Sequence, residues 1–185
     1  MWSVPYCSFY CSLHTTRLIG RQKLNPALTI NPKDGSIHIA IAGCNFVIES
    51  TFTSDTTAAP LAQLYRSEQV HKNGYVWRTY QGISIEGVSG GLALCFHSGR
   101  LTEVHIGASV PTTGTENGWP TRESIELEVN FLKNAFRRQL SRSFQTDLER
   151  FSWGSAWAKF DEKGFLASAG ISYTPISHTS ALPST

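Results

Sequence analysis

The chain has 185 residues, of which 41% are hydrophobic and 16% are charged, and its formal net charge is +2. This composition supplies the apolar material for one core of ordinary size, so neither a metal nor a disulfide is needed to hold a fold together. The charge is too small to indicate a nucleic-acid partner, because phosphate binders concentrate several Lys and Arg on one surface. Five Trp, ten Phe and six Tyr are spread along the chain. Disordered segments are poor in aromatic residues, so we expect the middle part of the chain to be folded.

Cysteine usage and the termini define the compartment that we expect. Cys44 and Cys95 fall in predicted strands, where a free cysteine usually acts as a small hydrophobic residue. The N-terminus lacks the basic and apolar regions of a secretory signal, and no run of ~20 apolar residues predicts a membrane span. We therefore expect a cytoplasmic protein with one domain over residues 21–174, a poorly packed extension at 1–20 and a flexible tail at 175–185.

The first elements predicted along the chain are strands and a short helix. Residues 27–30 and 36–42 surround a turn sequence that contains Pro32, Asp34 and Gly35, which predicts a hairpin, and residues 45–51 predict a further strand. A short α-helix is then expected from a cap at Thr56 or Thr57 to about residues 68–72. Its apolar residues recur at helical spacing: Leu61, Leu64 and Tyr65.

Strands at 75–80 and 83–86 lead into a hairpin over residues 91–106. A two-residue turn at Ser98 and Gly99 would place charged side chains on the core face, whereas a three-residue loop with a left-handed Gly99 shifts the register by one. This second register predicts a core face of six residues: Leu92, Leu94, Phe96, Thr102, Val104 and Ile106. The opposite face would carry Cys95, Leu101, Glu103 and His105.

The second half of the chain predicts a polar loop, a long helix and a last hairpin. The loop covers residues 110–119, and the helix begins after an N-cap at Thr121. The helix carries an apolar stripe at spacings of three and four: Ile125, Val129, Leu132, Phe136 and Leu140. In the hairpin of 154–160 with 165–173, pairing Phe160 with Phe165 gives one alanine-rich face and turns Trp157 to the other.

These elements predict the α+β class, with a single domain. We expect a mainly antiparallel β-sheet built from hairpins and backed by one long and one short α-helix.

A thiol, an imidazole and a carboxylate are the ingredients of nucleophilic catalysis, and the 91–106 hairpin carries all three. The predicted register, however, places Cys95 opposite Leu101 and His105 about 10–14 Å away, whereas proton transfer needs ~3 Å. No metal-ligand spacing, phosphate loop or nucleophile elbow occurs in the chain. We therefore expect no catalytic residue, no metal and no cofactor.

Several aromatic residues are candidates for a binding surface. Trp119 ends the polar loop, and Trp157 faces away from the alanine-rich side of its hairpin. Trp and Tyr often anchor protein contacts, although many tryptophans pack under loops or helices instead. The candidate partner-binding residues are Trp119, Glu116, Asn117, Glu103, His105 and Trp157.

The order of elements, with the phrases Tyr75-Val-Trp-Arg-Thr-Tyr and Gly91-Leu-Ala-Leu-Cys-Phe-His-Ser-Gly-Arg-Leu-Thr-Glu-Val-His-Ile, resembles small bacterial immunity-type proteins that neutralise secreted toxins. The resemblance covers about residues 45–106. It implies a curved antiparallel sheet backed by helices that covers a toxin surface, and it defines no catalytic residue. The slightly basic charge departs from the acidic character common among inhibitors of basic nucleases.

Three hypotheses follow. The first is a non-enzymatic immunity or inhibitor protein that occludes a toxin or effector protein, with no nucleic-acid or membrane partner. The second is a small hydrolase-like enzyme with a site around Cys95, His97 and His105, to which Glu103 or Asp161 would contribute. The third is a structural subunit or homodimer formed through an exposed sheet edge.

Overall fold

The computed structural model describes residues 26–41, 43–56, 59–111 and 114–173. They contain one long helix, α1 at Arg122–Leu140, and a 3₁₀ helix at Ala59–Leu64. The strands are β1 Ala27–Ile30, β2 Ile37–Ile41, β3 Cys44–Ile48, β4 Tyr65–Val70, β5 Tyr75–Ile85, β6 Val88–His97, β7 Arg100–Ala108, β8 Thr115–Glu116, β9 Trp119–Pro120, β10 Leu148–Phe151, β11 Gly154–Asp161 and β12 Leu166–Tyr173. No helix in this part of the chain is both long and apolar enough to cross a membrane.

Ten of these strands form one sheet in the order β10-β11-β12-β7-β6-β5-β1-β2-β3, and β4 also pairs with β5. The pairs are antiparallel except for the short contact of β1 with β5, which is parallel. Strands β8 and β9 form a separate hairpin. The α+β class and the mainly antiparallel sheet are therefore confirmed, and the one parallel pair makes the sheet mixed.

Helix α1 covers one face of the sheet. Thr121 is the N-cap, and its hydroxyl oxygen accepts a hydrogen bond from the Ser124 N–H at 3.2 Å. The buried side of the helix contains the whole predicted stripe, Ile125, Val129, Leu132, Phe136 and Leu140. The helix packs on β7, β11 and β12 and also on β1, so that it touches strands from both halves of the sheet.

Two hydrogen bonds join the β1–β2 turn to the part of the sheet that contains β10, β11 and β12. The Trp153 indole N–H donates to the Pro32 carbonyl at 3.1 Å, and the Tyr173 hydroxyl donates to the Gly35 carbonyl at 3.0 Å. Gly35 is required there, because its φ is +70° and a Cβ would lie 2.5 Å from the Trp153 ring. The β1–β2 turn is thereby fastened to the β10–β11 end of the molecule.

The 91–106 hairpin keeps most of the predicted core face but differs from the prediction in register and turn. Leu92 pairs with Ile106 and Leu94 with Val104, whereas the predicted register, with Cys95 opposite Leu101, would pair them with Val104 and Thr102. The chain reverses, however, through a two-residue turn at Ser98 and Gly99, both at positive φ, and a bulge then restores the register. The expectations of a three-residue loop, of a core position for Thr102 and of an open-face position for Leu101 are therefore wrong: Thr102 is the extra residue of the bulge, and Leu101 is buried.

The short helix is also different from the prediction. It is a 3₁₀ helix that ends at Leu64, and residues 65–70 form β4. Pairing with β5 explains why residues 65–70 form a strand and not a helix. The hydroxyls of Ser67 and Thr79 form a hydrogen bond of 2.7 Å between the two strands, and Arg78 forms an ion pair with Glu68 at 2.5 Å. The predicted strands at 75–80 and 83–86 are one strand, β5, with a bulge between Gln81 and Ile83.

The last hairpin and the polar loop were also predicted incompletely. Phe160 pairs with Ala167 and not with Phe165, but a shift of two residues keeps the same side chains on the core face. The predicted loop at 110–119 contains the β8–β9 hairpin. Strand β10 was not predicted, and the proposed extension at 1–20 and tail at 175–185 lie outside the described residues.

Candidate functional site

The sheet face opposite α1, called the open face below, carries a cluster of three aromatic rings. His105 lies between Trp77 and Trp157, with ring centroids 4.8 Å and 5.1 Å apart. Both indoles are nearly perpendicular to the imidazole, at 81° and 76°. Edge-to-face contacts of this kind are favourable, so the three rings support one another.

Strand order explains how the rings meet. Trp77 is on β5 and Trp157 is on β11, and each is two strands away from His105 on β7. The direct neighbours of His105 in the sheet are small residues, Ala93 on β6 and Gly170 on β12. Each indole can therefore reach across the strand between. A Cβ on Gly170 would lie 2.8 Å from Trp157 Cζ2, which shows how closely this ring covers the glycine.

Polar groups surround the aromatic cluster. His105 Nε2 is 3.0 Å from Glu103 Oε2, and the Trp157 indole N–H donates to Ser168 Oγ at 3.1 Å. The His105 side chain is 34% exposed and that of Glu103 is 42% exposed. The cluster borders a shallow depression of about 680 Å³ lined by Glu103, His105, Asp147, Leu148, Ser155, Trp157, Lys159, Asp161, Ser168 and Ser172.

The sheet opens beside this cluster. Strand β12 pairs with β7 only from Gly170–His105 to Ser172–Glu103, and a second cavity of about 320 Å³ extends from His105 along Gly107 and residues 166–169. Where the ladder has ended, the Ala108 N–H donates to Glu128 Oε1 of α1 at 3.2 Å. Burial raises the pKa of Glu128, although this hydrogen bond acts in the opposite direction.

The predicted relation between Cys95 and His105 needs correction. Cys95 pairs with Glu103 and not with Leu101, so His105 is a diagonal neighbour of the thiol and closer than predicted. Cys95 is nonetheless only 1% exposed. Its burial, helped by the Glu103 carboxylate, raises the pKa of the thiol, which makes it a poor nucleophile.

The other residues of the enzyme hypothesis lie apart. His97 is at the exposed end of the hairpin, where it stacks on Tyr75 with centroids 4.4 Å apart. Asp161 ends β11 and accepts a hydrogen bond from the Lys163 N–H. The described residues contain no group of three or more His, Cys, Asp or Glu side chains that would hold a metal ion.

Trp119, Glu116 and Asn117 belong to the β8–β9 hairpin. Asn117 and Gly118 form its turn, both at positive φ, and Trp119 is 75% exposed. In the described part of the chain, no hydrogen bond, ion pair or ring contact joins these residues to Glu103, His105 or Trp157. The six predicted partner-binding residues therefore form two groups, one on the open face and one on the hairpin.

The sequence prediction missed a polar chain on the β1–β2 hairpin. Ser36 Oγ donates to Asp34 Oδ1 at 2.7 Å and lies 3.1 Å from His38 Nε2, while Asn45 Nδ2 is 3.0 Å from His38 Nδ1. Partial burial by itself raises the pKa of Asp34, but hydrogen bonds from Ser36 and the nearby His38 outweigh this effect and hold the pKa below its usual value. Ser36 is only 3% exposed. This series of hydrogen bonds therefore stabilises the turn and offers no accessible nucleophile. In the sequence, this series of hydrogen bonds is indicated by the alternation of Asp34, Ser36 and His38.

Comparison of the chain with models of protein families, with curated proteins and with solved structures finds no match.

Proposed function

We propose that this chain is a non-enzymatic binding protein of the immunity or inhibitor kind, which covers the surface of a partner protein with its open face. The observation that carries the proposal is the convergence of Trp77 and Trp157 over His105 on the side of the sheet that α1 leaves uncovered. Tryptophan anchors surrounded by polar groups are typical of the energetic centre of protein interfaces.

The shape and chemistry of the open face favour binding over catalysis. The thiol of Cys95 is buried beside the cluster, and the pair of Glu103 and His105 lies in a shallow, solvent-exposed depression. Catalytic groups work best in enclosed sites where water is excluded. A broad surface with apolar side chains at its margin, such as Leu148 and Leu166, suits a protein partner better than a small substrate.

The free cysteines are compatible with the cytoplasmic location that we propose. Cys44 is exposed and Cys95 is buried, and neither forms a disulfide within the described residues. An exposed thiol stays reduced in the cytoplasm, where glutathione and thioredoxin act.

The test is capture of a partner by the tagged full chain, followed by binding measurements with the purified partner. Trp157→Ala removes one anchor, and we expect it to weaken binding by about 2 kcal/mol or more, which is roughly thirtyfold in Kd. Tyr65→Ala is the matched control, because Tyr65 is an exposed aromatic residue whose pairing with Tyr80 places it on the other face of the sheet.

The result is interpreted only for variants that keep the wild-type circular dichroism spectrum. Equal affinity of Trp157→Ala and wild type would remove the open face from the proposal. Loss of binding in Trp119→Ala alone would move the contact to the β8–β9 hairpin. A mass of twice the chain with no other protein would favour the homodimer.

A further inference from the structure

The charge of the depression beside Trp157 differs from that of the whole chain. The chain carries a net charge of +2. The depression instead contains three carboxylates, Glu103, Asp147 and Asp161, and one ammonium group, Lys159. Asp147 is already paired with Lys133 at 2.5 Å. Within the described residues, neither of the other two carboxylates, Glu103 and Asp161, forms an ion pair with a Lys or an Arg.

Glu103 differs from the other paired acids of the described residues in its partner. Glu68, Glu86, Glu126 and Asp147 each pair with an arginine or a lysine. Glu103 pairs only with His105, which carries a charge only when it is protonated. A neutral imidazole leaves the negative charge of Glu103 uncompensated, and the indole of Trp157 lines the same depression.

We propose that this depression receives an arginine side chain of the partner protein. This inference rests on the proposed function, because it names the group of the partner that the open face recognises. The guanidinium pairs with the Glu103 carboxylate and lies against the Trp157 indole. A planar guanidinium suits both contacts, since it bonds carboxylates through two N–H groups and stacks on aromatic faces. An indole is also the aromatic group that attracts cations most strongly.

The present geometry explains why this position favours a cation. His105 occupies the space between the two indoles, and its Nε2 contacts Glu103. A carboxylate and an indole are therefore brought together in the depression, and these are the two groups that a guanidinium contacts. An incoming guanidinium takes over the bond to Glu103, and the hydroxyls of Ser155 and Ser172, 2.8 Å apart in the same depression, offer further acceptors.

The experiment is a titration of the full chain with acetyl-arginine amide, observed through the indole N–H signals of Trp77 and Trp157 in a ¹⁵N–¹H spectrum. Trp77→Phe and Trp157→Phe assign the two signals. Acetyl-citrulline amide is the matched control probe, because it has nearly the same shape and no charge. We expect saturable shifts for the arginine probe with a Kd on the order of 10 mM, and none for the citrulline probe.

Two carboxylate variants locate the site. Glu103→Gln is expected to weaken arginine binding about tenfold. Glu49→Gln, which removes an exposed carboxylate beyond β3, is expected to leave binding unchanged. Equal shifts with the two probes, or an unchanged titration for Glu103→Gln, would overturn the arginine site. If the probe fails to bind while Trp157→Ala still abolishes partner capture, this inference fails and the proposed function stands; failure of both experiments overturns both.

Discussion

Replacement of Gly170 by alanine tests the packing that brings Trp157 over His105. The added Cβ would collide with the Val104 carbonyl oxygen and lie 2.8 Å from Trp157 Cζ2. The φ of Gly170 is outside the left-handed region, so alanine meets no backbone strain there and its effect is purely steric. Gly107→Ala is the matched control. The φ of Gly107 is also outside the left-handed region, and a Cβ there would have no atom within 4 Å.

The two substitutions are expected to change stability in opposite directions. Gly107→Ala restricts the unfolded chain and should stabilise the protein by about 0.4–1 kcal/mol. Gly170→Ala gains the same term but overpacks the junction of β7 and β12, where a backbone carbonyl cannot move aside, at a cost of about 1–3 kcal/mol. At the middle of both ranges, the net effect is a destabilisation of about 1–2 kcal/mol.

Urea unfolding followed by far-ultraviolet circular dichroism measures both variants. At a slope of about 2 kcal/mol per molar urea, the midpoint of Gly170→Ala should fall by roughly 0.5–1 M, while that of Gly107→Ala should rise slightly. Equal midpoints for the two variants would refute the close cover of Gly170 by Trp157, and with it the steric account of the aromatic cluster.

Two further predictions concern α1. Thr121→Ala removes the side-chain acceptor of the Ser124 N–H and should lower the free energy of unfolding by about 1 kcal/mol. Thr121→Ser keeps a hydroxyl acceptor and should retain most of this stabilisation. Because burial raises the pKa of Glu128, its ionised form is penalised in the folded state, and this penalty grows as the pH rises from the ordinary carboxyl pKa to the raised one and is complete above it. Glu128→Gln keeps an acceptor for Ala108, so its stability relative to wild type should be higher at about pH 7.5 than at about pH 4, by denaturant unfolding at each pH.

Local signals predicted the elements that are stabilised locally. Helix α1 has a capping threonine and a stripe of apolar residues at helical spacing, and both lie within one segment. The β1–β2 hairpin carries its own turn sequence, with Asp34 and Gly35. These features need no distant partner, so the sequence alone was sufficient to predict them.

Elements that depend on distant partners were predicted less well. Leu61, Leu64 and Tyr65 have helical spacing, but Tyr65 begins a strand because β5 supplies its hydrogen-bonding partner. The bulge at Thr102 was also invisible, because an alternation of side chains fixes which face a residue occupies and not how many residues a turn contains.

The candidate site shows the same division. Side-chain alternation placed Glu103 and His105 on one face of their hairpin and Trp157 on the open side of another, and those placements agree with the structure. Their meeting could not be predicted, because it requires β12 to insert beside β7 and a glycine to stand between two large rings. The pairing of segments that are far apart in the chain decides such contacts.

The hydrogen bonds between the β1–β2 turn and the β10–β12 part of the sheet impose an order on folding. The hydrogen bond from Tyr173 to Gly35 joins residues that are 138 positions apart. The early hairpin emerges from the ribosome long before β12 exists, so it must wait with its apolar side uncovered. Contacts of such long range slow folding and expose intermediates to aggregation. The contact between Gly35 and Tyr173 can therefore form only after β12 has been synthesised.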